Sequence, residues 1–227
     1  MDLKLSSFNL HGFRNGLSML NELCNTCSLI GVQEHWLRND ELDKLALAHP
    51  DFNHAAVSGM DKAMSRGLLV GRPFGGIGFL WHNSLTKHIQ IVKRDPEGRC
   101  MILKLSVAGH SLLVCNLYLP CFDGADCLSE VNYYVGFLTE TFESVYYTDI
   151  VLLGDFNFEL HNLCNRYTVF KHMLDRFNLT ACSNFIGSLN YPTYVNDALG
   201  HKSHIDHFLS HPVFGISLMV VKWLNRV

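Results

Sequence analysis

Apolar and polar positions in this chain alternate over many short segments and follow helical spacing in a few longer ones. The alternation over residues 3–9 predicts a strand, and the apolar spacing over residues 17–24 predicts a helix after it. The run 150–153 is apolar throughout and stops at Gly154, which is typical of a strand buried on both faces. Further strands are predicted at residues 29–33, 54–58, 77–81, 89–93, 100–107, 111–119, 205–209 and 216–223, and further helices at residues 39–49, 127–146 and 170–177.

The order of these elements predicts the fold class. Many strands are interspersed with a few helices, and no linker-like segment divides the chain. We therefore expect residues 1–227 to form one α/β domain, with sheets in the middle and helices outside. No apolar run approaches the ~18–20 residues that a membrane-spanning helix needs, so no membrane partner is expected.

Composition describes a globular chain with an uneven charge distribution. Hydrophobic residues make up 48% and charged residues 17%, which is enough apolar surface for a large core. The net charge of −3 gives no overall basic field for nucleic acid. Residues 59–104 carry eight basic and three acidic side chains (8 − 3 = +5), whereas residues 121–160 carry eight acids and no Lys or Arg. These segments favour either a phosphate-binding and a cation-binding surface or ordinary solvated faces.

The cysteines and the N-terminus indicate a reducing compartment. Eight cysteines occur at irregular spacings, and Met1 leads directly into the first predicted strand rather than into a secretory signal. We expect an intracellular protein, nuclear or cytoplasmic, that is not secreted. Cys24 and Cys27 form a C-x-x-C without a second pair at zinc spacing, so packing is favoured over a metal site.

Polar residues suited to phosphate chemistry stand where predicted buried strands end. Asp155 and Asn157 follow the run 150–153; an Asp can orient or deprotonate a water, and an Asn can donate to a phosphate oxygen. Glu34 follows the strand 29–33 and is the hard carboxylate that Mg²⁺ prefers. Each residue alone has a structural alternative, because Asp and Asn are common turn formers and a Glu can simply begin a surface loop.

Four further residues extend this set. Asn9 ends the first predicted strand, and Tyr118 closes the strand 111–119 with a hydroxyl that can donate to phosphate. Asp206 lies inside a predicted strand, where a carboxylate needs a partner or a cation; the alternation there places His204 on its face and His207 on the other. Thr193 can contact a phosphate. Turn or packing roles remain open for Asn9, Tyr118 and Thr193.

Several common hydrolase signatures are absent from the sequence. It contains no H-E-x-x-H, no G-x-S-x-G, no Walker-type glycine-rich loop and no zinc-finger spacing. This argues against metalloproteases, serine hydrolases and P-loop nucleotidases. What remains are five segments at strand ends: 7–12 (SFNLHG), 33–36 (QEHW), 116–120 (NLYLP), 153–157 (LGDFN) and 203–207 (SHIDH).

These five segments, in this order, resemble the endonuclease/exonuclease/phosphatase superfamily over essentially the whole chain. The forms of 33–37 (QEHWL), 71–76 (GRPFGG) and 203–207 are most similar to the apurinic-endonuclease-like domain of LINE-type (non-LTR) retrotransposon polyproteins. The resemblance implies a two-layer β-sandwich flanked by helices (DNase I-like). It also implies Mg²⁺, or Mn²⁺ in its place, as cofactor, DNA as partner and a fused reverse-transcriptase region in the full-length product.

The same resemblance implies a role for each residue and a reaction. A water attacks a DNA phosphodiester and leaves a 3′-hydroxyl. The implied roles are metal ligation by Glu34 with Asn9 beside it, phosphate contacts by Tyr118 and Asn157, water activation by Asp155, a DNA-backbone contact by Thr193 and orientation of a catalytic His by Asp206.

The chain departs from the family pattern at three places. A Ser-Asp-His segment that supplies the catalytic His follows the Asp206 position in the family, but only 21 residues follow it here (227 − 206) and none forms that segment. We therefore expect a C-terminally truncated domain with impaired activity. His207 and His211 are not expected to substitute. His11 stands where the family has Asp or Asn, and Cys121 stands where the repair enzymes often have a polar residue.

Two other functions stay open on the sequence. One is a phosphatase or phosphodiesterase of the same superfamily, such as a sphingomyelinase, that acts on a small or lipid phosphate. The other is a non-catalytic DNA-binding module that retains the surface but not the chemistry.

Overall fold

The computed structural model describes residues 3–60, 75–121, 125–160, 164–182, 192–196, 199–211 and 225–226. The α-helices in these ranges are α1 (Phe13–Cys24), α2 (Ala125–Ser144) and α3 (Asn165–Arg176), and 3₁₀ segments cover Asn39–Ala48 and Asn83–His88. The strands are β1 (Leu5–Asn9), β2 (Leu29–Gln33), β3 (Phe52–Val57), β4 (Ile77–His82), β5 (Ile89–Arg94), β6 (Cys100–Val107), β7 (His110–Tyr118), β8 (Asp149–Asp155), β9 (Thr180–Ala181), β10 (Tyr194–Asn196), β11 (His201–Ser203), β12 (Asp206–Ser210) and β13 (Asn225–Arg226).

The first sheet has four strands in the order β1-β2-β4-β3. Its parallel pair, β1 and β2, places Asn9 opposite Gln33 at the carboxyl ends of both strands. Helix α1 supplies the crossover that a parallel pair requires. The carboxyl ends of β1 and β2 therefore meet at one edge of this sheet.

The second sheet has six strands in the order β5-β6-β7-β8-β12-β9. Strands β6 and β7 form an antiparallel hairpin, whereas β7 and β8 are parallel and bring Tyr118 opposite Asp155. Strand β12 runs antiparallel to β8 and sets Asp206 opposite the same aspartate. A small third sheet has the order β11-β10-β13.

The apolar positions bury in three layers. Between the two large sheets lies a cluster that includes Leu29, Phe79, Val114 and Leu153. Helix α1 packs on the outer face of the first sheet, and helices α2 and α3 pack on the outer face of the second. This arrangement is a two-layer β-sandwich flanked by helices, so the predicted fold class is confirmed.

Most of the predicted elements occur within a few residues of their expected bounds. The segment 39–48 is a 3₁₀ helix. Strands β9, β10, β11 and β13 were not predicted, because two or three residues are too few to display an alternating pattern. The predicted strand 216–223 and most of the glycine-rich segment 71–76 lie outside the described residues.

Two expectations from composition can be compared with the structure. None of the helices in the described ranges is long and apolar enough to cross a membrane. All eight cysteines are free thiols. Cys24 and Cys27 are buried, and burial raises the pKa of Cys24 to about 12, as expected of a packed thiol.

Candidate active site

A cavity of about 750 Å³ opens at the edge where the two parallel strand pairs end. Strands β1 and β2 of the first sheet and β7 and β8 of the second all finish there. Because carboxyl ends of parallel strands meet at one edge, residues distant in sequence come together. Five of the predicted site residues line this cavity: Asn9, Glu34, Tyr118, Asp155 and Asn157.

The amide of Asn9 joins the two sheets at the floor of this cavity. Its Nδ2 donates to Glu34 Oε1 at 2.8 Å and to Asp155 Oδ2 at 3.0 Å. Its Oδ1 accepts the backbone N–H of His11 at 3.1 Å. The oxygen that would ligate a cation thus faces the backbone. The metal-ligand role of Asn9 stays a prediction, and in this geometry its amide positions two carboxylates.

Asp155 is the most perturbed carboxylate of the cavity. Only 4% of it is exposed. Burial raises its pKa well above the ordinary Asp value, and the negative charges of Asp206 and Glu34 add to the rise. Hydrogen bonds from the Asn9 amide and the Asn157 backbone N–H offset part of it. Such a carboxylate is a stronger base than a surface aspartate.

Glu34 approaches the cavity from a strained backbone. Its φ is 53°, and its backbone N–H donates to Gly76 O at 2.9 Å, which fixes the turn. The indole N–H of Trp36 donates to Glu34 Oε2 at 3.2 Å. Four of the six non-glycine residues with positive φ in the described ranges belong to this region: His11, Glu34, Trp36 and Asn157. Left-handed backbone of this kind clusters at functional sites.

Tyr118 and Asn157 complete the cavity wall on the side of the second sheet. Burial raises the pKa of Tyr118, and the charge of Glu34 raises it further, so the hydroxyl keeps its proton. The Arg99 guanidinium lies 5.2 Å from the centre of the Tyr118 ring. Asn157 Nδ2 donates to Leu119 O at 2.8 Å, which leaves its second N–H for another acceptor.

Thr193 and Asp206 differ from the other predicted residues because neither lines the cavity. Thr193 is 3% exposed, and its Oγ1 accepts the backbone N–H groups of Ile205 and Asp206, each at 3.0 Å. The DNA contact of Thr193 stays a prediction, and in this geometry its hydroxyl fixes the start of β12. Asp206 is the first residue of β12, and its negative charge raises the pKa of Asp155.

His204, His207 and His211 do not line the cavity. His207 is buried, its Nε2 donates to Phe158 O at 2.9 Å, and its ring stacks on that of His204 with a centroid distance of 5.1 Å. The expectation that His204 shares the face of Asp206 is therefore wrong, because His204 precedes the strand and strand alternation does not govern it. His211 lies 3.4 Å from Asp149, at the opposite end of β8.

Sequence reasoning missed a buried polar network beneath the cavity. Asn116 has no exposed surface, its Nδ2 donates to Val32 O at 3.0 Å and Gly78 O at 2.8 Å, and its Oδ1 accepts from Gln33 Nε2 at 2.6 Å. These bonds connect β7 to the first sheet. An amide in an otherwise apolar strand was the signal available in the sequence.

The rim of the cavity also carries basic groups that were not predicted. Arg166 of α3 and Lys202 of β11 line it, together with His201. Arg166 Nη1 donates to Pro120 O at 3.3 Å. Cations above a floor of carboxylates suit a ligand that carries phosphates and binds through an ion.

The donors at the floor fit a hard divalent cation. Mg²⁺ takes one or two carboxylates and completes its shell with water and substrate phosphate. Glu34 and Asp155, held by one amide, provide that set. No group of three or more His, Cys, Asp or Glu side chains placed for a metal was found within the described ranges. A bound ion would therefore depend on water and substrate oxygens.

Comparison with known proteins yields similarity in structure alone. No protein-family model matches the sequence, and neither does any curated protein. An AP endonuclease from Leishmania major superposes with a TM-score of 0.69 at 14% identity, covering 91% of this chain and 78% of that chain. A 3′ phosphatase from Neisseria, bound to product DNA hairpin, gives 0.64 at 15% identity, covering 92% and 86%. An endonuclease/exonuclease/phosphatase family protein from Bacteroides thetaiotaomicron gives 0.61 at 16%, covering 93% and 84%. The three establish the fold.

Proposed function

We propose that this chain is a Mg²⁺-dependent DNA endonuclease that hydrolyses a phosphodiester and leaves a 3′-hydroxyl. The observation that carries the proposal is the single amide of Asn9, which holds Glu34 and Asp155 together at the floor of the cavity. Tyr118 and Asn157 stand on the wall of the same cavity, where they can donate to a phosphate. The fold, shared with proteins named as nucleases and phosphatases, agrees with this chemistry.

Each residue has a task in this reaction. Glu34 binds the ion, with Asn9 as its positioning residue, and a bound Mg²⁺ offsets negative charge on the phosphate. Asp155 orients the attacking water and accepts its proton at a carboxylate oxygen, for which its raised pKa suits it. Asp206, through its charge, contributes to that pKa.

The wall of the cavity binds the substrate. The Tyr118 hydroxyl, which stays protonated, donates to a non-bridging phosphate oxygen, and the second N–H of Asn157 does the same from the other strand end. Arg166 and Lys202 on the rim contact neighbouring phosphates of the same DNA. These contacts position the scissile bond without reading its sequence.

The biological setting is proposed from sequence similarity. The segments 33–37 and 203–207 resemble LINE-type retrotransposon endonucleases. In that setting the 3′-hydroxyl primes reverse transcription, and a reverse-transcriptase region belongs to the same product.

Nicking of supercoiled plasmid tests the proposal. In keeping with the impaired activity expected from the sequence, we expect the chain to produce open circles slowly with Mg²⁺ or Mn²⁺. We expect Glu34→Gln and Asp155→Asn to abolish this nicking while both variants remain folded. A polymerase should extend the nicked strand, which requires a 3′-hydroxyl. Hydrolysis of a 3′-phosphomonoester without nicking would instead assign a phosphatase.

A second candidate function is a DNA-binding module without catalysis. It is favoured by the placement of His207 and His211, neither of which lines the cavity. DNA binding that weakens with salt, without nicking in either metal, would support it. Nicking that depends on Glu34 would exclude it.

A further inference from the structure

His11 occupies the cavity without an assigned task. It follows β1 in the left-handed region, with φ 51°, and lines the cavity beside Glu34. Its Nδ1 lies 4.0 Å from Glu34 Oε2. Its Nε2 is buried and makes no hydrogen bond in the described structure. The nitrogen that faces the proposed metal ligand is thus Nδ1, and the imidazole that carries it has no hydrogen bond at its other nitrogen. A ring placed in this way calls for an explanation.

Trp36 contacts both the His11 ring and Glu34. The indole of Trp36 packs against it with a centroid distance of 5.4 Å and an angle of 45°. The same indole donates to Glu34 Oε2, so one side chain fixes both the imidazole and the carboxylate. The backbone N–H of His11 is bound by Asn9 Oδ1, and its carbonyl accepts from Asn15 Nδ2 at 2.9 Å. These bonds fix the backbone of His11, and its ring lies between the Trp36 contact and Glu34.

The separation of the two groups suits a shared ion better than a direct contact. A distance of 4.0 Å between Nδ1 and Oε2 is too long for a hydrogen bond. Two ligands of one divalent ion, each at about 2.1 Å, can be up to about 4.2 Å apart. An ion bound between the two groups would hold them at this distance without a hydrogen bond between them.

We propose that His11 supplies an imidazole nitrogen to the ion that Glu34 binds, which shifts the metal preference of the site toward Mn²⁺. Imidazole favours transition-metal ions, whereas Mg²⁺ favours oxygen ligands. Without His11, the floor formed by Asn9, Glu34 and Asp155 provides two carboxylates and one amide as possible ligands, and no imidazole nitrogen. The inference rests on the proposed function, since it assumes that an ion binds at Glu34.

Other imidazoles near the cavity can be separated from His11. His35 has both ring nitrogens occupied: Nε2 donates to Val57 O at 3.1 Å, and Nδ1 accepts from Leu37 N at 3.0 Å. His207 is engaged with Phe158. His201 is exposed on the rim and lines the same cavity, which makes His201→Asn the matched control.

The test reads the ligand directly with pulsed EPR of bound Mn²⁺ in the intact chain. We expect nitrogen couplings from an imidazole in the wild-type protein and in His201→Asn, and their loss in His11→Asn. Asn tolerates the left-handed backbone at position 11, so this variant should fold. Labelling histidine with ¹⁵N in the wild-type protein should change the couplings without any substitution.

Metal affinities give a second readout. Mn²⁺ affinity follows from the EPR signal of the free ion, and Mg²⁺ affinity follows from competition. We expect His11→Asn to lower the ratio of Mn²⁺ to Mg²⁺ affinity on the order of tenfold, the scale typical of weakening a metal centre. His201→Asn should leave the ratio unchanged.

Two outcomes would overturn the inference, and they differ in meaning. Mn²⁺ that binds in a Glu34-dependent way, but without imidazole couplings or with couplings that survive His11→Asn, removes His11 from the centre and leaves the proposed function intact. Failure of the folded wild-type chain to bind Mn²⁺ or Mg²⁺, alone or with DNA, removes the inference and the proposed function together.

Discussion

Asp155 is a single residue whose buried charge lowers the stability of the folded protein. Its carboxylate is buried opposite Asp206 and near Glu34, so ionisation brings negative charges together in a region of low polarity. A cation and a water relieve this repulsion only when they bind. The unliganded protein therefore retains a carboxylate that is suited to catalysis and unfavourable for folding.

We predict that Asp155→Asn abolishes nicking and stabilises the protein at neutral pH in the presence of EDTA. The amide removes the buried charge but loses one of the two hydrogen bonds that the carboxylate accepts. The net gain should be about 1 kcal/mol, or about 2–4 °C in Tm for a chain of this size. Thermal unfolding of both proteins measures it.

The pH dependence of this gain provides the control. Because the folded-state pKa of Asp155 is raised, the stability linked to its neutral form is complete below the ordinary value of 3.8. That stability is lost as the pH rises through the raised folded pKa. The advantage of Asp155→Asn should therefore shrink as the pH falls toward 3.8. An advantage that is constant with pH, or a loss of stability at neutral pH, would contradict the argument.

The sequence located cavity residues wherever position along a strand determined the outcome. Glu34, Tyr118, Asp155 and Asn157 follow or end strands of parallel pairs, and that position alone brings them together. The backbone contacts of Asn9 and Thr193 were not predicted, because their partners are N–H groups of His11, Ile205 and Asp206 in turns that no periodicity reveals.

At the scale of elements, the carboxyl end of β8 depends on close contact with β7. Gly154 has φ 137°, and a Cβ there would lie 2.0 Å from the backbone oxygen of Leu117. A side chain cannot fit without moving one of the two parallel strands. The position of Asp155, the next residue, depends on the same contact.

We predict that Gly154→Ala destabilises the protein by more than 3 kcal/mol, on the order expected for overpacking added to a disfavoured backbone. Chemical denaturation measures the change. Gly136→Ala is the matched control, because no atom lies within 4 Å of a Cβ in that part of α2. The control should be neutral or gain about 0.5–1 kcal/mol. Equal effects of the two substitutions would refute the close-packing argument.

The Asn116 network attaches the two sheets to each other below the cavity. Its amide satisfies two carbonyls of the first sheet and the side chain of Gln33, all without solvent. We predict that Asn116→Ala costs about 2–4 kcal/mol, because several buried groups lose their partner at once. Urea denaturation provides the measurement.

Asn132→Ala tests whether this cost is specific to burial. Asn132 is exposed on α2 and donates to Leu128 O at 2.9 Å. Its replacement should change stability by less than about 0.5 kcal/mol. A cost of Asn116→Ala as small as this would mean that water replaces the network and that the sheets do not depend on it.

The bounds of the long, apolar strands were predicted from the sequence more accurately than those of the short ones. Strand β2 and strand β6 were placed at their observed bounds, because each buries most of its residues and stops at a clear boundary: β2 at the polar Gln33, β6 before the turn at Gly109. Strands β10 and β11 have three residues each and pair with each other at the rim of the cavity. They are strands because they pair, and three residues are too few for a recognisable sequence pattern. The 3₁₀ geometry of 39–48 likewise depends on how that segment packs.

The net negative charge of the whole molecule repels DNA. The net charge is −3, and the carboxylates of Glu34, Asp155 and Glu159 line the cavity, with Asp206 beside Asp155. Arg166 and Lys202 line the same cavity. Phosphate is therefore attracted at the rim and repelled at the floor unless a cation is bound there. The uneven charge along the sequence predicted two poles, in residues 59–104 and 121–160, but the cations Arg166 and Lys202 lie outside both segments.

We predict modest DNA affinity that increases with divalent ions and depends on the rim. The dissociation constant of a short duplex, measured by anisotropy with Ca²⁺ to limit cleavage, should fall when the ion is added. Glu34→Gln should remove most of that gain. Arg166→Ala and Lys202→Ala should each weaken binding and reduce the slope of log K against log salt by about one, the effect of losing one phosphate contact.

Lys87 offers the matched control for these substitutions. It is exposed in the 3₁₀ segment that follows β4, and β4 runs away from the cavity because it is antiparallel to β2. Lys87→Ala removes the same charge from the net total but from the far end of the first sheet. If it reduced the slope as much as Lys202→Ala, DNA would be responding to net charge alone. If only the rim substitutions reduced the slope of log K against log salt, the DNA would lie across the cavity. It would then lie over Glu34 and Asp155, the carboxylates of the proposed catalytic site.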